Sequence, residues 1–306
     1  MRREPSVIAG PVERTAAVRD DAARVGTDAL PDVDGPVLDD VDARPGSTVS
    51  YLRTVIGLYL RDLGGRISAA DLVRLLGELE LPPARVRGAL TRVKQRGLLL
   101  ADRSDGVGYR LNPAAAGMLA RGDRRIFAVR EADPADGWCL VSFSVPESRR
   151  DLRHRLRRGL AWIGCGTVSP ALWICPEHLA DEAAQVVADL GAAEFVTLFR
   201  GAAPARDLPA AVRAWWDLDA LRHEHEGFLA AIAPLHVVEG ADEAAAFAAY
   251  VRLVDAWRIL PYVDPGLPSA VLPGDWPGVR STAAFAELSS RFRAGARRHV
   301  RAVTSR

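Results

Sequence analysis

The sequence predicts an α+β protein in three ordered parts, on three observations. Between Ser47 and Leu111, helical patterns are followed by two short apolar runs around Asp105 and Gly106. From Trp138 to Phe199, strand-like and helix-like segments alternate in the order βαββαβ. After Pro204 the periodicity is mainly helical. These patterns describe an N-terminal winged helix-turn-helix, a central ferredoxin-like domain and a helical C-terminal domain. The boundaries they set are 47–121, 122–204 and 205–306, behind a tail at residues 1–46.

The tail differs in composition. From Asp20 to Asp42 it carries eight aspartates against one arginine and no apolar periodicity, which predicts a disordered acidic segment. Order begins near Thr48. Tyr51, Leu52, Val55, Ile56, Leu58, Tyr59, Leu60 and Leu63 make a helix apolar around much of its girth, ended by Gly64 and Gly65. Ser68, with Asp71 three residues on, starts a second helix along Leu72, Leu75, Leu76 and Leu79. Pro82 and Pro83 end it and open a third, whose Val86, Leu90 and Val93 face inward and which Gly97 closes. Leu98–Leu100 and Gly108–Leu111 then read as the strands of a hairpin.

In the central part, strands are expected at Trp138–Val145, Cys165–Val168, Ala171–Cys175 and Glu194–Phe199. Helices are expected at Glu147–Leu160 and Leu179–Leu190. The last part reads as helices over Leu208–Ile232, Asp242–Leu260 and Ser281–Val300, with a Pro/Gly-rich stretch from Asp264 to Gly278 before the last.

Bulk properties narrow the function classes. Basic and acidic residues number 40 and 39, giving a net charge of +1, so charge matters by placement rather than in sum. Lys94 is the only lysine, a bias that reads as a GC-rich genome. No apolar run approaches the ~20 residues of a membrane span, and the first ten residues lack the apolar core of a secretory signal. Three cysteines, an odd count, predict no disulfide framework and place the chain in the cytoplasm. No glycine-rich phosphate loop or nucleophile elbow is present, so neither an enzyme nor a bound cofactor is expected.

The third helix carries the functional signal. Between Pro83 and Gly97 lie Arg85, Arg87, Arg92, Lys94 and Arg96 with no acid. With Val86, Leu90 and Val93 inward, Arg85, Arg87, Thr91, Arg92 and Gln95 are left for a partner, which suits phosphates and base edges of double-stranded DNA. Gly88 and Ala89 are small enough for close approach, and Arg103 and Arg110 on the hairpin would reach the backbone or minor groove. The chain therefore reads as a DNA-binding protein, either a ligand-released regulator or an architectural protein without a small-molecule input.

The stretches Gly64–Ile67 and Arg85–Leu98 resemble the N-terminal domain of the PaaX family, repressors of phenylacetate degradation operons. The resemblance continues at Trp138–Pro146, Arg149–Gly166, Trp173–Pro176, Asp264–Pro268 and Leu272–Trp276, leaving only the acidic tail outside. It implies a homodimeric repressor of an aromatic-acid catabolic operon, released from operator DNA by an aryl-CoA thioester, an acyl-CoA effector. Arg149, Arg150, Arg153 and Arg157, with Arg155 and Arg158, make the first central helix basic: a candidate surface for CoA phosphates, with the DNA backbone or a plain solvated face as the alternatives. Trp162, Trp173, Trp215 and Trp216 are candidates either for an aromatic pocket or for the core, and the irregular Asp264–Trp276 segment for a binding or interface loop.

The central part also resembles small ferredoxin-like nucleases of CRISPR adaptation, which hold a metal with an aspartate ending the first strand. Here that strand runs into Ser144 and Pro146, and the nearest acid, Glu147, starts the next helix, so nuclease activity is not expected. His223 and His225, two apart on a helix, cannot share one ion and read as a solvated face. Cys165 and Cys175 flank the turn expected at Ser169 and Pro170 and read as small apolar residues.

Overall fold

The computed structural model describes residues 44–104, 106–133, 135–204, 207–238 and 242–305. The acidic tail expected over residues 1–46 lies outside them up to residue 43.

Helix α1 (Thr48–Tyr59) is capped by Ser47, whose hydroxyl accepts the Ser50 N–H at 3.2 Å. Gly64 and Gly65, both at positive φ, turn the chain into β1 (Arg66–Ser68). Ser68 then caps α2 (Ala69–Gly77): its oxygen accepts from the Asp71 N–H at 2.9 Å and its hydroxyl donates to the Asp71 carboxylate at 2.7 Å. Pro83 opens α3 (Pro83–Gln95), and Gly97, at φ 78°, ends that turn. The hairpin of β2 (Leu99–Asp102) and β3 (Gly108–Leu111) follows, and β1 joins it in an antiparallel sheet of order β1-β3-β2. β1 was not expected: three residues with only Ile67 buried give periodicity nothing to act on. Equally unforeseen is α4 (Ala116–Phe127), rich in arginine and glycine.

The central sheet consists of β4 (Trp138–Phe143), β5 (Gly166–Ser169), β6 (Leu172–Pro176) and β7 (Val196–Ala202). Its order is β5-β6-β4-β7 with every pair antiparallel. Helices α5 (Arg150–Trp162) and α6 (Ala180–Asp189) bury Leu152, Leu156, Leu160, Ala183 and Val187 against Cys139, Val141, Phe143 and Cys175 of the sheet. The opposite face is covered too. Trp138 and Ile174 lie under Val212, Trp216, Leu221, Leu267 and Val271. Contact is so close at Gly166 that a Cβ there would sit 2.6 Å from the Trp216 ring.

Residues 208–232 form two helices, not one: α7 (Leu208–Trp215) and α8 (Leu218–Ile232). Trp216 is extended, and Asp217 caps the new start by accepting the Ala220 N–H at 2.9 Å. After α8 come α9 (Glu243–Trp257), the short α10 (Leu260–Val263) and α11 (Gly278–Thr304).

The apolar interior does not stop where composition changes. One continuous core holds Leu52, Ile56, Leu72, Leu75, Val86 and Leu90 together with Phe247, Leu253, Trp257, Leu288 and Phe292. The N-terminal helices thus rest on α9 and α11. A buried polar network reinforces this seam. Asp255, 1 % exposed, accepts from the Ser50 hydroxyl, from Thr54 Oγ1 at 2.9 Å and from the Gly46 N–H at 2.7 Å. Arg258, 3 % exposed, lies 3.3 Å from the same carboxylate and donates to Ser50 Oγ at 2.8 Å.

A second seam is held by Arg125 of α4, 8 % exposed. It pairs with Glu182 of α6 at 2.7 Å and donates to the carbonyls of Ile163 (3.0 Å) and Pro261 (3.1 Å). Nearby, burial pushes the His178 imidazole down to about 4, and the charges of Arg130 and Arg125 add to the shift. His178 is therefore neutral in the folded chain but protonates near its ordinary 6.5 once unfolded. Its contribution is complete above pH 6.5 and is lost as the pH falls toward about 4. Urea titrations across that window should show falling stability, and His178→Gln should flatten the fall; an unchanged profile in the variant would count against this assignment.

Candidate nucleic-acid interface

The surface of α3 is divided by its own periodicity. Val86, Ala89, Leu90 and Val93 are buried, while Arg85, Arg87, Gly88, Thr91, Arg92, Lys94 and Gln95 are exposed. All five residues predicted on this helix thus share its solvent side. Ala89 does not: it is fully buried, because it fills the line between Val86 and Val93. Gly88 keeps the expected role, with open space where a side chain would stand.

None of Arg85, Arg87, Arg92 and Lys94 has an ion-pair or side-chain hydrogen-bond partner among the described residues. Lys94 was outside the predicted set, and only its exposure brings it in. Thr91 donates its hydroxyl to the Arg87 carbonyl at 3.1 Å, so that hydroxyl can act outward as an acceptor alone. A helix with this many cations that no described side chain pairs, and with no acid of its own, presents a strongly positive surface.

The hairpin is fixed to the end of this helix. Asn112 donates through Nδ2 to the Gly97 carbonyl at 2.7 Å, and its N–H donates to Leu98 O at 3.0 Å. At the tip's base, Asp102 accepts the Ser104 N–H at 2.9 Å and pairs with Arg66 at 3.1 Å. The Ser104 contacts first, then Arg66, hold the Asp102 carboxyl below its ordinary value. That acid is thus paired with Arg66, and Arg103 and Arg110 are both exposed.

The arginines of α5 are differently placed. Arg153 pairs with Glu147 at 2.7 Å and Arg157 donates to Pro170 O at 2.8 Å. Arg149 lies 3.8 Å from Glu194 and over the Phe195 ring, whereas Arg150 is exposed and lies 3.9 Å from Asp151. The tryptophans do not converge on one pocket. Trp173 belongs to the core beneath α5 and α6, Trp216 to the opposite face, and Trp162 stacks on Tyr262. The sheet passes between Trp173, with Trp162 packed against the same cluster, and the Trp215–Trp216 pair on the other face.

His225 is not on a solvated face. It is 2 % exposed, its Nε2 lies 2.7 Å from Asp264 Oδ2, and its ring meets Trp276 edge-on. His223 is exposed, as expected for residues two apart. The Asp264–Trp276 segment is thereby held inward, with Leu267 buried and Gly266 O accepting the Ala132 N–H at 2.9 Å. Cys139, Cys165 and Cys175 are free thiols in the interior. Among the described residues no group of His, Cys, Asp or Glu could hold a metal ion, and no helix is long and apolar enough to cross a membrane.

Comparison with known proteins gives this geometry its context. Residues 47–115 match the family model described as PaaX-like protein, 131–212 the PaaX protein central Cas2-like domain, and 216–302 the PaaX-like protein C-terminal domain. The chain belongs to the PaaX family. A curated member, the transcriptional repressor PaaX of Escherichia coli K12, is 29 % identical over 252 residues, covering 78 % of each chain. An uncharacterised Mycobacterium tuberculosis protein, Rv0674, shares the fold at TM-score 0.54 and 21 % identity, over 81 % of this chain and 97 % of its own. The first PaaX match contains α1 to β3, and with them every residue of the predicted DNA-facing set. Helix α4 falls between the first and second matches.

Proposed function

We propose that this PaaX-family chain is a DNA-binding transcriptional regulator, a repressor rather than an enzyme, whose reading head is a winged helix-turn-helix. The observation that carries the reading is the exposed, acid-free face of α3, braced from behind by a continuous core and flanked by the hairpin. The name of the E. coli relative supports the same role. In this reading residues 47–121 form the head, 122–204 a ferredoxin-like domain and 205–306 a helical domain, and the protein acts as a homodimer on double-stranded operator DNA. Arg85, Arg87, Thr91, Arg92, Gln95, Arg103 and Arg110 face the duplex. An aryl-CoA thioester releases it, with Arg149, Arg150, Arg153 and Arg157 toward its phosphates, and the operon controlled serves aromatic-acid catabolism.

Arg87→Ala and Arg92→Ala should each weaken operator binding by about 1–3 kcal/mol. A residue that contacts phosphate should also lower the salt slope by about one. Gel-shift titrations over a range of salt measure both, and a native protein with no salt dependence would refute DNA binding. Adding aryl-CoA to the native complex separates a ligand-released repressor, which dissociates and gains thermal stability, from an architectural protein, which does neither.

A further inference from the structure

On α5 and α11, arginines stand beside acids or hold carbonyls. Arg149 and Arg153 face Glu194 and Glu147, and Arg157 donates to Pro170 O. Arg297 and Arg298 pair with Asp62 and Glu243, and Arg291 donates to His236 O and Val238 O. Helix α3 departs from this pattern. Arg85, Arg87, Arg92 and Lys94 are exposed on a helix without an acid, and no described side chain pairs with them. The reverse composition precedes the head. Asp32, Asp34, Asp39, Asp40 and Asp42 fall within eleven residues that hold no basic side chain, a net charge of −5. This stretch lies ahead of the first PaaX match, which begins at residue 47. From it the chain enters the head at a fixed point: the Ser47 N–H donates to Arg44 O at 3.1 Å, and the Gly46 N–H to Asp255 Oδ2 at 2.7 Å.

We propose that Asp32–Asp42 docks on the exposed face of α3 when the chain is free of DNA, and so competes with DNA for that face. Its five carboxylates meet the guanidinium groups of Arg85, Arg87 and Arg92 and the ammonium of Lys94, as phosphates would. The reach is sufficient. From Arg44 back to Asp32 the backbone extends at most about 40 Å, a body the size of residues 47–115 is about 30 Å across, and α1 packs directly behind α3. A segment tethered this closely acts at an effective concentration of about a millimolar. With a dissociation constant of about 0.1 mM, the weak end of sequence-independent DNA binding, it leaves the face open about one tenth of the time. Every duplex then binds about tenfold more weakly. That factor belongs to the free protein, so it is the same for operator and random-sequence DNA. The inference rests on the DNA-binding reading in one respect: duplex DNA is what the docked segment holds off.

The test uses the full-length chain. A carbodiimide condenses carboxylates with amines, and Lys94 is the only lysine, so an amide at its Nζ reports what lies on α3. In native protein without DNA, peptide mapping by mass spectrometry should find Lys94 joined to an aspartate of Asp32–Asp42 within one copy. A random-sequence duplex should suppress that product several-fold, and so should salt at about 1 M, where the screening length is about 3 Å. The variant Asp32→Asn, Asp34→Asn, Asp39→Asn, Asp40→Asn, Asp42→Asn should bind the same duplex about tenfold more tightly at about 50 mM salt. Its advantage should shrink as salt rises, with unchanged circular dichroism. The proposal is overturned if Lys94 forms no amide with this segment, if the amide joins two copies, or if the Asn variant binds DNA no better than the native chain. DNA binding by the native chain stands in each of those cases. A chain that forms the amide but binds no duplex in either form supports the docked segment and refutes the function proposed above.

Discussion

Asp255→Ala is expected to lower the stability of the whole chain by about 3–5 kcal/mol, the range for breaking a buried ion pair by removing one partner. The carboxylate accepts from Ser50, Thr54 and the Gly46 N–H, and it balances Arg258. Without it, a guanidinium 3 % exposed loses the carboxylate 3.3 Å away. The double variant Asp255→Ala, Arg258→Met should recover part of that loss, because the buried positive charge goes with it. Urea unfolding followed by tryptophan fluorescence measures both. A loss under about 1 kcal/mol for the single variant, the scale of an exposed pair, would mean that water reaches this network. Operator affinity should fall in parallel, since Ser50 and Thr54 lie on α1, which packs directly behind α3.

Arg125→Met should cost about 2–4 kcal/mol by a different route. Its partner Glu182 is partly exposed and can turn to solvent, so little is lost there. The carbonyls of Ile163 and Pro261 cannot turn, and each loses a donor in the interior. Glu182→Gln, which keeps the guanidinium and both carbonyl contacts, should cost no more than about 1 kcal/mol. If the two variants were equally destabilised, the ion pair and not the carbonyl caps would be the fastener. Hydrogen exchange should then locate the damage in α4, whose Ile126 carbonyl is also tied to Trp257 Nε1 at 3.0 Å.

Much of this architecture was legible because it is local. The Ser68 cap, the inward line of Val86, Leu90 and Val93, the Asp-Gly hairpin and the βαββαβ order all follow from neighbours within a few residues. The exposed set on α3 was legible for the same reason: a helix period that fixes the buried line fixes the opposite side. What escaped depends on distant partners. Asp255 meets Ser50 across 205 residues, and no pattern near either one marks it. His225 stands among charged neighbours and reads as exposed; Asp264 and Trp276, on a later segment, bury it. Arg125 gives α4 an interior residue where a hydrophobic one would be sought. Ala89 was misplaced because a residue so small carries almost no hydrophobic signal in either direction.

The shared core also sets an order of events during synthesis. The residues that back α3 from α1 leave the ribosome early, while Phe247, Trp257 and Phe292, on which they close, leave much later. At about 5–20 residues per second, roughly 10–50 s separate Leu52 from Phe292. Over that interval the apolar side of α1 has no permanent cover. A chain that stops short carries α3 but lacks Phe247, Trp257 and Phe292, the apolar residues on which α1 closes.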